Sequence, residues 1–157
     1  MLIDLQFAVQ VATPVGVIGA LIGLIFTINN YRRQMYAQVF MKYTERYEHI
    51  LDNFPENALA ARFDSETLPP GSPALSLCLL KYLNLCSEEF YLKTRGYLPE
   101  ELWNIWEGDL NRMIGSPLLQ REWPSFRKEF LSHQPFLEYV ERVQGESKRA
   151  TAAHQRS

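Results

Sequence analysis

The sequence predicts an all-α protein: an N-terminal transmembrane helix that continues into a long juxtamembrane helix, followed by a small cytoplasmic helical bundle. Three observations carry this reading. Leu5–Ile28 is a stretch of twenty-four residues without a formal charge. From Tyr36 onward, apolar and aromatic residues recur at spacings of three and four. No run of alternating β-branched residues lies between turn signals, as a half-buried strand would require.

The uncharged stretch has the length for a membrane. A bilayer's hydrocarbon core is about 30 Å thick and takes roughly 20 apolar residues at about 1.5 Å each, so residues 5–28 can cross it with some tilt. A soluble helix apolar on every side would have to be wrapped completely, and the roughly 125 residues after it are too few for that. Residues 1–4, Met-Leu-Ile-Asp, lack a basic leader, and no small-residue cleavage site comes after Ile28, so the segment reads as a retained anchor. Lys and Arg near a span stay on the cytoplasmic side. None precedes this one, while Arg32 and Arg33 come directly after it, which puts residues 1–4 outside and the remainder in the cytoplasm.

The span has a small-residue side. Gly16, Gly19, Ala20, Gly23 and Thr27 gather there at helical offsets, with Ala12 extending the row and Gly19-x-x-x-Gly23 at its centre. In lipid such a face lets two helix backbones approach closely. The plainer explanation is that glycine is common in spans. The expected partners are therefore the lipid bilayer and either a second copy or another membrane protein.

Residues 29–145 make up the expected cytoplasmic domain. Tyr36, Val39, Phe40, Tyr43, Tyr47, Ile50, Leu51 and Phe54 stripe one helix, which Pro55 ends because it disfavours helical geometry in the residue before it. Residues 55–73 hold Pro55, Pro69, Pro70, Gly71 and Pro73 and form a connector, with at most a helical turn over residues 56–62. Ser72 as N-cap, Pro73 in the first turn and Gly96 as stop bracket a helix rich in Leu, the expected centre of the bundle. A second membrane segment over residues 75–92 is its rival reading. Pro99, Glu100 and Glu101 suit the positive end of the next helix, with Leu102, Trp106, Leu110, Met113 and Ile114 on its inner face. Gly115-Ser116-Pro117 starts a short helix through Trp123, and Pro124 and Pro135 divide the remaining chain into short pieces. Residues 146–157 have almost no apolar bulk and are expected to be disordered.

Chemistry is harder to find. With 16 basic and 18 acidic residues the chain has no basic block, and nucleic acid is not an expected partner. Cys78 and Cys86 have no nearby His or Cys at ligand spacing and read as buried thiols. His49, His133 and His154 are scattered; His49 with Glu45 and Glu48 reads as a solvated helix face, so no metal or cofactor is expected. Glu88 and Glu89 read as the polar side of a long helix. Trp103, Trp106 and Trp123 read as core and rim.

The run Tyr91-Leu92-Lys93-Thr94-Arg95-Gly96-Tyr97-Leu98, with Leu102-Trp103 and Trp106 after it, resembles small bacterial single-pass membrane proteins of unknown function. Their layout is an N-terminal span, a long juxtamembrane helix and a helix with paired tryptophans. The resemblance implies a bacterial inner-membrane, non-enzymatic protein, and covers about 15 residues. The expected role is a membrane-tethered helical interaction module. Its alternative is an accessory subunit of a membrane transporter or membrane-associated enzyme complex.

Overall fold

The computed structural model describes the backbone of residues 2–64 and 66–154, and the side chains of residues 16–64 and 66–153. Its described residues are all-helical, with no strand. Six α-helices run in order: α1 (Leu2–Asp52), α2 (Glu56–Ala61), α3 (Pro73–Thr94), α4 (Glu100–Ile114), α5 (Pro117–Phe126) and α6 (Gln134–His154). A 3₁₀ turn, Arg127–Phe130, lies between the last two. The chain divides into two compact units between Met41 and Lys42.

The first unit consists of α1 up to Met41. Its described side chains are mostly exposed, including Val17, Leu21, Ile25 and Phe26. Among the described residues no helix is long and apolar enough to cross a membrane. The reason is extent: of the uncharged stretch only Gly16–Ile28 has described side chains, about 20 Å of helix against the roughly 30 Å of a bilayer core. Leu5–Val15, with Ala12 of the small-residue row, contributes backbone to α1 but lies outside the described side chains, as do residues 2–4.

The second unit is organised around α3. Ser72 caps it, its Oγ accepting from Leu75 N at 3.2 Å, with Pro73 in the first turn. It stops at Gly96, where φ is +71°, a value L side chains rarely adopt. Tyr97 N then donates to Leu92 O and Gly96 N to Lys93 O, closing the last turn. Leu75, Cys78, Leu79, Tyr82, Leu83, Leu85 and Cys86 are all buried along it, which is the behaviour of a bundle's central helix rather than of a second membrane segment. Both cysteines are free thiols, and Cys78 Sγ donates to Asn53 O at 2.9 Å.

The connector is pinned rather than loose. The helical turn expected over residues 56–62 is α2, whose Ala58 is fully buried. Glu66 N and Thr67 Oγ1 both donate to the Asp64 carboxylate, Leu118 N donates to Arg62 O, and Arg121 Nη1 donates to Pro69 O at 2.7 Å. Both of the last two bonds fix it to α5.

Three expectations need correcting. The buried tryptophan of α4 is Trp103, 3% exposed, while Trp106, expected on the inner face, is only half-buried. Pro124 does not end α5: it sits inside the helix, where burial of Trp123 and Phe126 on either side outweighs one lost hydrogen bond. Residues 146–154, expected to be disordered, continue α6 past Gly145. Polar contacts supply what apolar bulk does not. Arg142 pairs with Glu146, Ser147 Oγ donates to Gly115 O at 2.8 Å, and Thr151 Oγ1 donates to Ser147 O. Residues 155–157 lie outside the described residues.

The two tryptophans of α4 give a direct check on this packing. Trp103→Ala should cost about 3 kcal/mol or more, as for a buried aromatic, and Trp106→Ala less than half of that. Denaturant midpoints of the two variants measure the difference, and the reverse order would contradict the packing of α4.

Candidate functional site

Two places can do something that packing alone does not explain. The first is the small-residue side of α1. Gly16, Gly19, Ala20, Gly23 and Thr27 are exposed, and a Cβ placed on any of the three glycines would meet nothing within 4 Å. Thr27 Oγ1 donates to Gly23 O at 2.8 Å, satisfying its hydroxyl within the helix. Arg32 and Arg33 are also exposed. Within this unit the helical spacing brings the small residues to one side and leaves that side uncovered.

The second place lies within the bundle, where the end of α1 meets α3 and α4. Tyr43 and Tyr47 come from α1, Tyr82, Leu85 and Glu89 from α3, and Trp106, Asp109 and Leu110 from α4, around a cavity of about 80 Å³. Helical offsets explain the convergence: Tyr43 and Tyr47 are four apart, as are Leu85 and Glu89, so each pair shares a face. Tyr43 lies 5.4 Å from Trp106 between ring centroids, and Tyr47 lies 6.2 Å from Tyr82, so two aromatic pairs wall the space.

Glu89 and Asp109 line this cavity, Glu88 adjoins Glu89 on α3 outside the lining, and the three differ. Glu88 takes Arg46 in a bidentate pair at 2.5 and 2.9 Å, and accepts a longer bond from Tyr43 Oη. Arg46 holds its carboxyl below the ordinary range. Asp109 takes Arg112 at 2.6 Å. Glu89 is 8% exposed, and no hydrogen bond reaches it among the described residues. Burial pushes its pKa up to about 8, with Glu88 adding to the rise and Arg46 opposing it. At neutral pH burial favours its protonated form. Burial likewise raises Tyr43, Tyr47, Tyr82 and Cys86 above their ordinary values.

Glu89 therefore departs from the expected solvated face, which holds for Glu88 alone. The one-residue offset turns the second carboxylate about 100° around the helix into the core. A signal was present: Leu75, Leu79, Tyr82, Leu85 or Cys86, and Glu89 continue a single three-and-four row, which extrapolates inward.

Elsewhere, Ser87 Oγ and His133 Nδ1 are 2.8 Å apart. The serine sits in mid-helix, and no third group orients the histidine among the described residues, so the pair reads as structural. Among the described residues no three of His, Cys, Asp and Glu stand close enough to hold a metal ion. No protein-family model, curated protein or solved structure matches the chain.

Glu89 makes stability depend on pH in a definite sense. Its folded pKa, about 8, exceeds the ordinary 4.5, so between those values the folded state binds the proton that the unfolded state has released. Stability falls as pH rises through that window and levels off above it. His133, held below 6.5 by burial, acts oppositely below that pH, so the slope belongs to Glu89 between pH 6.5 and 8. Thermal unfolding of the chain in neutral detergent should show Tm falling across this interval, and Glu89→Gln should flatten the slope. An unchanged slope in the variant would place the titration elsewhere.

Proposed function

We propose that the chain is a non-enzymatic, membrane-tethered helical interaction module of the bacterial inner membrane. Residues 5–28 lie in the bilayer, Arg32 and Arg33 mark the cytoplasmic side, and the helical unit from Lys42 onward carries the interaction. The supporting observation is the surface of α1: Val17, Ile18, Leu21, Ile22, Leu24, Ile25, Phe26 and Ile28 remain 48–68% exposed along one short stretch of helix. Water-exposed apolar patches of that extent are rare in soluble monomers and suit lipid or a partner helix. With the uncharged residues that precede it, the surface has the length of a span. The small-residue side is then the surface on which two α1 helices meet, because in lipid close backbone contact replaces the hydrophobic effect as the source of attraction.

The first test is topological: a reporter fused after Ser157 should be active in the cytoplasm, and periplasmic phosphatase activity from that fusion would refute the orientation. The second concerns the interface. Gly19→Leu combined with Gly23→Leu should abolish association in the membrane while leaving insertion intact, since leucine favours insertion. An in-membrane association assay on the full chain reads it, and unchanged association would make the small-residue side incidental. Recovery of a stoichiometric larger membrane protein with the chain would move the reading to an accessory subunit.

A further inference from the structure

The cavity between α1, α3 and α4 is built for a charge that the protein itself does not supply. Glu89 and Asp109 line it, while Glu88, next to Glu89 on α3, lies outside the lining; Arg112 takes Asp109 and Arg46 takes Glu88. Among the described residues Glu89 has no guanidinium partner. It is the more buried of the adjacent glutamates and lines the cavity. A buried carboxyl without a hydrogen bond is costly, and an apolar residue of similar shape would avoid the cost.

The walls narrow the ligand class. Tyr43, Tyr47, Tyr82 and Trp106 line it, and aromatic rings attract cations through the ring quadrupole. Arg46 already demonstrates the attraction, its guanidinium carbon standing 5.2 Å from the Tyr43 centroid. A metal ion would need several oxygen or nitrogen ligands converging on it, and aromatic faces offer none. An organic ammonium needs only a counter-ion and apolar contact. The cavity, about 80 Å³, is roughly half the ~150 Å³ void that takes benzene, and so has room for a head group of about three heavy atoms.

We propose that this cavity binds the head of a small organic cation, an alkyl- or methylammonium, with Glu89 as its counter-ion and the rings of Tyr43, Tyr47, Tyr82 and Trp106 as its walls. Binding ionises Glu89: its proton leaves to solvent, and the carboxylate and ammonium form an ion pair inside the cavity. The titratable and charged groups lining or flanking the cavity are Tyr43, Arg46 and Tyr47 on α1, Tyr82, Cys86 and Glu88 on α3, and Asp109 on α4. The tyrosines and the cysteine are pushed up and Glu88 is held down, so a proton released at neutral pH comes from Glu89. This inference does not depend on where α1 resides.

The experiment is calorimetric titration of the full chain, in neutral detergent at pH 7, with methylammonium chloride and with methanol as its uncharged near-isostere. Methylammonium should bind one site at least tenfold more tightly than methanol. Repeating the titration in buffers of different ionisation enthalpy should give close to one proton released per cation bound. Glu89→Gln should keep its helical circular dichroism, lose at least tenfold in affinity and release no proton. Trp106→Leu should weaken binding several-fold while proton release persists, a readout that holds even if the glutamine variant folds poorly. Equal affinity for the two probes, binding without proton release, or undiminished binding by Glu89→Gln would each overturn the assignment, as would a cavity that takes up neither probe.

Discussion

Over its first four turns α3 buries residues on nearly every side, from Leu75 through Cys78, Leu79, Tyr82, Leu83, Leu85 and Cys86, so no single neighbour can cover it. That constraint accounts for the arrangement of the second unit. Each fully buried leucine is worth about 1.5–3 kcal/mol only if something closes over it. The end of α1 supplies Ile50, with Phe54 just beyond it, α4 supplies Trp103, Leu110 and Ile114, α5 supplies Leu118 and Leu119, and α6 supplies Phe136 and Val140. The 10 residues of α5 fall below the about 12–15 at which isolated helices are marginal in water, so it persists by its packing in this core.

The same constraint explains the punctuation between the helices. Ser72 and Ser116 each precede a proline and accept from the backbone N–H three residues on, so both α3 and α5 start at a fixed residue. Gly96 turns the chain at positive φ, and Lys93 forms an ion pair with Glu100 across that turn. At the far end of α4, Gly115 leaves its carbonyl to Ser147 Oγ and Gln120 Nε2. A Cβ at Gly115 would stand 3.1 Å from Ser147, so the glycine is what allows α6 to approach. The approach in turn orders residues that composition alone leaves without a reason to fold.

How far the fold is legible in the sequence depends on which forces act locally. Caps and prolines act within four residues, and the starts of α3 and α5 and the end of α1 can be read from them. Apolar periodicity acts over a turn or two, and it correctly makes α3 central. Failures come where a distant contact decides the outcome. The last turns of α6 depend on Ser147 meeting a carbonyl at the end of α4, Pro124 is tolerated because the core holds both its flanks, and Trp103 rather than Trp106 fills the gap beside Phe90 and Tyr139. Glu89 is a different kind of failure. Its position in the row points inward while its chemical identity points outward, and the position decides.

That conflict has a physical basis, because ionisable side chains are almost never fully buried without a partner. A carboxyl at this position can exist in the folded chain only by holding its proton, which moves the cost of burial into a raised pKa. Nothing in the packing of α3 demands an acid there: Leu85, one turn earlier on the same face, shows that an apolar side chain is accepted by the same neighbours. The lost stability is therefore not a by-product of the bundle's geometry. Glu89 pairs with no guanidinium among the described residues, and it lines a space walled by Tyr43, Tyr47, Tyr82 and Trp106. Sites that violate local folding rules without a compensating contact inside the protein are where an external partner supplies it.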